Sequence, residues 1–218
     1  MLDDGEEEPI SLYFWPTPNG LKISILLEEL GVPYDVKYVD IGEDGQFAPQ
    51  IAGSPDLGLP AIVDPEGPDG HSLVMFESGA ILHYLARKYG GFYPSNERAR
   101  ADVDQWLFWQ VSGLGPVATQ CNHFRLHARE KDRFAIDYYT NEVGRLFGVM
   151  DSRLRDRSYL AGSYSIADIA SFPWVRTWKT LAQDITRFPN VERWLAEIGG
   201  RPAVARGLSV TKKEITNP

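Results

Sequence analysis

The chain has 218 residues, of which 43% are hydrophobic, 24% charged and 12% aromatic, the composition of a folded globular protein long enough to bury one or two cores without disulfides or metal. Its 22 basic and 30 acidic residues give a net charge of -8, which argues against a partner held by phosphate-backbone attraction, so no nucleic acid is expected. No apolar stretch approaches the roughly 18 residues of a transmembrane helix, and no membrane partner is expected.

The chain opens on Asp3, Asp4, Glu6, Glu7 and Glu8, so residues 1–9 are expected to form a disordered acidic tail ahead of a body nearly balanced in charge. This acidic start lacks the basic residues and apolar run of a signal peptide. The single cysteine, Cys121, cannot close an intrachain disulfide or build a cysteine-rich metal site. A cytoplasmic location and no bound metal are the expectations.

Ile10-Ser-Leu-Tyr-Phe14 reads as a first strand, and Asn19 to Gly31 as a helix whose Ile23, Leu26, Leu27 and Leu30 recur at helical spacing on one face. Tyr34–Val39 reads as a second strand. Ile41–Pro55 is rich in Gly and Pro and reads as an irregular loop with a short helix near Gln46–Ile51. Ala61–Val63 and Leu73–Met75 flank the dense turn signal Asp64–Gly70 and predict a hairpin. A helix over Glu77–Tyr89 then ends at Gly90-Gly91.

This order makes residues 10–91 an α/β domain. Beyond the joint near Phe92–Asn96 only helical patterns remain, over Asn96–Gln120, Phe134–Arg155, Ser165–Trp178 and Val191–Gly199. Residues 97–218 are therefore expected to be all-helical, with Tyr139, Val143, Leu146, Met150 and Leu154 facing inward on the longest helix.

Chemistry can sit where strands hand over to helices. In Trp15-Pro-Thr-Pro-Asn-Gly20, unpaired N–H groups and the helix dipole favour an anion such as a thiolate. The Thr17 hydroxyl and the Asn19 amide can donate to it, or Thr17 or Asn19 can simply cap the helix. Leu59-Pro60 enters the third strand. There the Leu59 backbone can pair with an extended substrate, or Pro60 can merely start the strand. In Phe76-Glu-Ser-Gly79, Ser78 and the free helix N–H groups can hold a carboxylate and Glu77 an ammonium, together an α-amino-acid head group. The alternative is a serine cap with a first-turn acid.

Thr17-Pro-Asn-Gly20, Gly45-Gln-Phe47, Leu59-Pro-Ala-Ile62 and Phe76-Glu-Ser-Gly-Ala-Ile81 resemble the glutathione-binding elements of cytosolic glutathione transferases. The run Gln105-Trp-Leu-Phe-Trp-Gln-Val-Ser-Gly-Leu-Gly-Pro116 resembles their Nu-class, disulfide-bond-reductase-like branch, related to the yeast prion nitrogen regulator. The resemblance spans about Ser11 to Leu208. It implies a thioredoxin-like, glutathione-binding N-terminal domain, an all-helical C-terminal domain, and a homodimer. It also implies that Thr17 and Asn19 contact the glutathione sulfur, Gln46 the glycine end, the Leu59 backbone the cysteinyl unit, and Glu77 and Ser78 the γ-glutamyl group. Reduced or oxidised glutathione is the implied co-substrate and a small disulfide the second substrate. Conjugation to an electrophile, hydroperoxide reduction and a non-catalytic glutathione-binding scaffold are the alternatives. Two departures stand out: Gly58 where relatives carry a polar residue, and Tyr138 near the position of an arginine in some relatives.

Other residues receive structural readings. Ser165-Ile-Ala-Asp168 is a capping box, with Asp168 serving backbone N–H groups. Pro173 is expected to kink its helix, and Trp106, Phe108 and Trp109 to pack in a core or subunit contact. The basic residues Arg125, Arg129, Lys131 and Arg133 read as a solvated loop. The orientation of Tyr13 is left open, and Ser24 is a weaker rival to Thr17.

Overall fold

The computed structural model describes residues 8–39 and 58–210, which places the acidic tail through Glu7, the 41–55 loop with its short helix, and Gln46 outside the described residues. Strand β1 (Ile10–Phe14) alternates as its sequence does: Ile10, Leu12 and Phe14 are buried, and Ser11 and Tyr13 occupy the half-buried opposite face. Helix α1 (Pro18–Leu30) follows, opening on a proline at a position where no intrahelical N–H is lost. Strand β2 (Tyr34–Tyr38) runs parallel to β1, with Leu12 opposite Val36. The antiparallel hairpin β3 (Ala61–Asp64) and β4 (Leu73–Phe76) then leads into α2 (Ser78–Tyr89).

The sheet order is β2-β1-β3-β4, with β1 parallel to β2 and antiparallel to β3. This is the expected thioredoxin-like arrangement. Leu12, Phe14, Ile23, Leu26, Leu27, Ile62, Ile81, Leu82 and Leu85 are all fully buried where α1 and α2 cover the sheet. The register fixes the site's position: Tyr13 pairs with Ala61 and Ala61 with Phe76. The end of β1, the start of β3 and the end of β4 therefore meet at one edge of the sheet.

Two expectations need correction. Helix α1 is not amphipathic in its environment. Every residue from Gly20 to Leu27 is buried, whereas Leu30, placed inward by the stripe, is only half-buried. The reason is a helix the sequence reading did not anticipate, α8 (Pro202–Ser209), which packs along α1. Ser24 Oγ donates to the Gly207 carbonyl at 2.8 Å, and Arg206 Nε lies 2.6 Å from the Glu28 carboxylate. A Cβ on Gly207 would sit 2.6 Å from the Ile25 Cα, so only glycine permits this approach. Accordingly, α8 belongs to the same compact unit as β1–β4, α1 and α2, and residues 90–201 form the other unit.

The second unit is helical throughout, apart from short bridges near Tyr159–Ser163. Its helices are α3 (Glu97–Trp109), α4 (Gly115–Asn122), α5 (Arg133–Arg153), α6 (Ile166–Val175) and α7 (Pro189–Gly199). The continuous helix expected over Asn96–Gln120 is interrupted by a π-helical turn, Gln110–Leu114, where the Gly115 N–H reaches back five residues to the Gln110 carbonyl. Pro116 explains the site: it supplies no N–H and crowds the carbonyl four residues earlier, and a widened turn relieves both demands. On α5, Val143, Leu146, Phe147 and Met150 are buried, as is Leu154 just beyond it, while Tyr139 is half-buried.

Candidate functional site

The edge where the three strand ends meet carries a pocket of about 110 Å³ lined by Asn19, Gly58, Leu59, Pro60, Phe76, Glu77 and Ser78. Four of the six residues singled out by sequence thus line one cavity. Thr17 lies outside that lining, two residues before Asn19, and Gln46 falls outside the described residues.

Helix α1 begins in an open turn. Thr17 is its N-cap, its Oγ1 accepting the Gly20 N–H at 3.2 Å. A hydroxyl that accepts still has its own proton to give, so the capping and donor readings of Thr17 coexist. No acidic residue occupies the first turn of α1, leaving the positive end of the helix without an internal counter-charge. Gly20 keeps the turn tight: a Cβ there would meet the Trp15 carbonyl oxygen at 2.2 Å.

The Leu59–Pro60 peptide is cis, and Pro60 is buried at the entry to β3. Glu77 has φ 69°, a left-handed conformation that non-glycine residues avoid and that recurs at ligand clamps. Its carbonyl accepts the Ile81 N–H at 2.9 Å, so the residue closes the first turn of α2 through its backbone. The first turn of α2 also lacks an acid, and Ser78, its first residue, lines the pocket.

Beneath Ser78 lies a residue the sequence reading passed over. Lys22 is 2% exposed, and its Nζ donates to Ser78 Oγ at 3.1 Å. Burial lowers the ammonium from its ordinary value to about 7, while the Glu77 carboxylate pulls the other way. The available signal was a lone charge inside the apolar run Leu21–Leu27.

The remaining candidates have structural work. Ser24 faces α8 through its bond to Gly207. The Asp168 carboxylate accepts the Leu160 N–H at 3.0 Å, the Ser165 N–H at 3.2 Å and Trp194 Nε1 at 2.9 Å, completing the expected capping box. Burial raises its pKa to about 6 in spite of those bonds. In the basic loop, Arg125 Nε donates to the Thr180 carbonyl, Lys131 Nζ to the Arg125 carbonyl, and Arg133 pairs with Asp137. Trp106 is buried, while Phe108 is exposed. Tyr138 is 56% exposed and stacks on Phe134.

A larger cleft, about 410 Å³, is lined by Glu66, Gly67, Pro68, Tyr84, Arg87 and Lys88 at the opposite end of the hairpin. Its Lys88 and Tyr84 are held by the buried Asp64 carboxylate, at 2.6 Å each. Among the described residues no group of His, Cys, Asp and Glu is arranged to hold a metal ion, and no helix is long and apolar enough to cross a membrane.

Residues 17–88 match the family model "Glutathione S-transferase, N-terminal domain" and residues 116–202 its C-terminal counterpart. The chain is 46% identical to disulfide-bond oxidoreductase YfcG of Escherichia coli (strain K12), over 91% of this chain and 94% of that one. A glutathione transferase from Burkholderia graminis, solved with two glutathione molecules per subunit, superposes with a TM-score of 0.89 at 43% identity, over 97% of this chain and 92% of that one. One from Pseudomonas putida, solved with one glutathione disulfide per subunit, gives 0.88 at 42%, over 95% and 94%. The chain belongs to the glutathione S-transferase family.

Proposed function

We propose that this protein is a glutathione-dependent thiol–disulfide oxidoreductase in which Thr17 and Asn19 stabilise the glutathione thiolate and the enzyme reduces small disulfides with glutathione thiols. The observation that carries the reading is the start of α1: a capped helix end with a hydroxyl proton to spare, no acid in its first turn and no cysteine, since Cys121 is the chain's only one and lies in the other unit. Sulfur must then come from the substrate.

The energetics fit donors rather than bases. A free thiol with a pKa of about 8.5 is roughly 3% ionised at pH 7, and lowering that pKa to about 6.5 takes roughly 2.7 kcal/mol of preferential anion stabilisation. A helix N-terminus supplies about 0.3–1 kcal/mol, up to ~2 when sheltered. A hydrogen bond to the charged sulfur supplies about 1.5–3 kcal/mol more. The pocket's remaining residues bind: Leu59 through its backbone to the cysteinyl unit, Glu77 to the γ-glutamyl ammonium, and Ser78 with the α2 N–H groups to its carboxylate. Gln46 belongs to the same reading, at the glycine end.

In the reaction the bound thiolate attacks one sulfur of the disulfide, forming a mixed disulfide and expelling the other sulfur as thiolate. A second glutathione thiolate then attacks the glutathione sulfur of that mixed disulfide, releasing oxidised glutathione and the second product thiolate, which takes up a proton. Two glutathione thiols are oxidised and one disulfide is reduced. Neighbours solved with two glutathiones or one glutathione disulfide per subunit support a site of that capacity.

A weaker carboxylate grip is favoured by Gly58, which offers the pocket wall no side chain. Conjugation and hydroperoxide reduction would use the same thiolate, and relative rates with chlorodinitrobenzene, a hydroperoxide and a disulfide rank the three. A cytoplasmic homodimer completes the proposal. The test is reduction of hydroxyethyl disulfide by the purified protein with glutathione. Activity is expected to fall in Thr17→Ala and Asn19→Ala, and unchanged activity in both would overturn the assignment.

A further inference from the structure

We infer that Lys22 is a positioning residue for the γ-glutamyl carboxylate: its buried ammonium fixes the Ser78 hydroxyl as an outward-facing donor and places a positive charge behind the carboxylate site. The inference rests on the glutathione reading and extends it to a residue outside the pocket lining.

A serine hydroxyl has one proton and two lone pairs, and its proton goes wherever an acceptor lies. In its protonated form, which the Glu77 carboxylate favours and an arriving carboxylate would favour further, Lys22 is donor-only, so Ser78 accepts from it, and the 3.1 Å contact engages a lone pair on the inner side of Ser78 Oγ. The hydroxyl proton is left for the pocket. A carboxylate is acceptor-only and needs just such a donor beside the leading N–H groups of α2.

Burial makes the arrangement consequential. Lys22 is 2% exposed, and lysine is rarely buried at that level without a partner or a task. It reaches Ser78 from 56 residues away in sequence, linking the start of α1, which carries Thr17 and Asn19, to the start of α2, which carries Glu77 and Ser78. Glu77 is the acid whose charge acts on the Lys22 ammonium, so an arriving amino-acid head group would meet its own complement: a carboxylate facing its ammonium and a lysine-backed hydroxyl facing its carboxylate. The low local dielectric strengthens both pairings.

The test compares ligands that do and do not carry the γ-glutamyl unit. Calorimetry measures binding of S-methylglutathione and of S-methylated Cys-Gly to wild type, Lys22→Met, Lys22→Arg, Ser78→Ala and the Lys22→Met/Ser78→Ala double variant. Methionine keeps the apolar stem and removes the ammonium together with its bond to Ser78, and circular dichroism checks that the fold is retained. Lys22→Met is expected to weaken S-methylglutathione roughly tenfold to a hundredfold, as for loss of a charge-assisted contact, while leaving the dipeptide within about twofold. In turnover, the KM for glutathione rises and kcat at saturation stays near wild type. Lys22→Arg restores part of the affinity, and the double variant is weakened by less than the product of the two single effects. Equal binding of S-methylglutathione by wild type and Lys22→Met, or an equal loss for both ligands, overturns the inference while leaving the glutathione reading intact. A wild type that binds neither ligand overturns both.

Discussion

The helix starts of α1 and α6 use similar residues to opposite ends. At α6, Ser165 and Asp168 close the helix on itself: the Asp168 carboxylate is fully buried and takes the Ser165 and Leu160 N–H groups and the Trp194 indole N–H. At α1, Thr17 satisfies the Gly20 N–H and no carboxylate follows in the first turn. One helix end carries its own anion and is sealed. The other withholds it, and a helix dipole without an internal counter-charge is a place for an anion from outside. On the proposed reading, the contrast separates a structural cap from a binding one.

Breaking the sealed end should have the largest effect. Asp168→Ala leaves three buried N–H donors unsatisfied and is expected to cost about 3–5 kcal/mol of stability, measured by urea denaturation, with the specific activity of the folded fraction unchanged. Sealing the open end is the converse. Thr17→Asp supplies α1 with the anion it lacks, so stability should hold or rise slightly, while the bound glutathione thiol is driven roughly two or more pKa units upward by the neighbouring carboxylate. Ultraviolet thiolate absorbance across a pH titration reads the shift.

Thr17→Ala is milder. It removes one donor and the cap, raising the bound thiol by about 1–2 pKa units and lowering stability by about 1 kcal/mol. Thr17→Ser should retain both functions in the same titration. The smallest effect is the pH dependence of the sealed end. Burial raises the Asp168 pKa from 3.8 to about 6, so the fold favours the protonated carboxyl. The stability it confers is complete below the unfolded pKa and is lost as pH rises through the folded one. Between pH 5 and 7 the loss attributable to this group is about 1 kcal/mol, and Asp168→Asn should flatten that segment of the stability–pH curve.

Much of the candidate site was legible in the sequence because it is built from local signals. Thr17, Leu59-Pro60 and Glu77-Ser78 each sit at a junction that turn chemistry and capping preferences mark within a few residues, and Asn19, Leu59, Glu77 and Ser78 do line one pocket. Tyr13 could not be oriented from alternation alone, since a tyrosine suits either a buried or a half-buried face; the structure puts it with Ser11 on the half-buried one. Lys22 was missed because a charged residue off the apolar stripe reads as solvent-facing until the far side of its helix is known to be covered. The π-helical turn at Gln110–Leu114 was missed although Pro116 marked it, because helical periodicity on both sides runs through the interruption.

By itself the sequence determined most of the strands and helices, α8 and the π-helical turn apart, with their order and the caps and turns at which they change over, since each of these is set by neighbours within about one helical turn or hairpin. The tertiary structure alone decided what those segments touch. The Lys22–Ser78 bond joins residues 56 apart and the Ser24–Gly207 bond residues 183 apart. The approach of α8 to α1 turned an apparently amphipathic helix into a buried one. Such contacts follow from packing apolar faces against one another, and a linear pattern shows that a face is apolar without showing which other face will cover it.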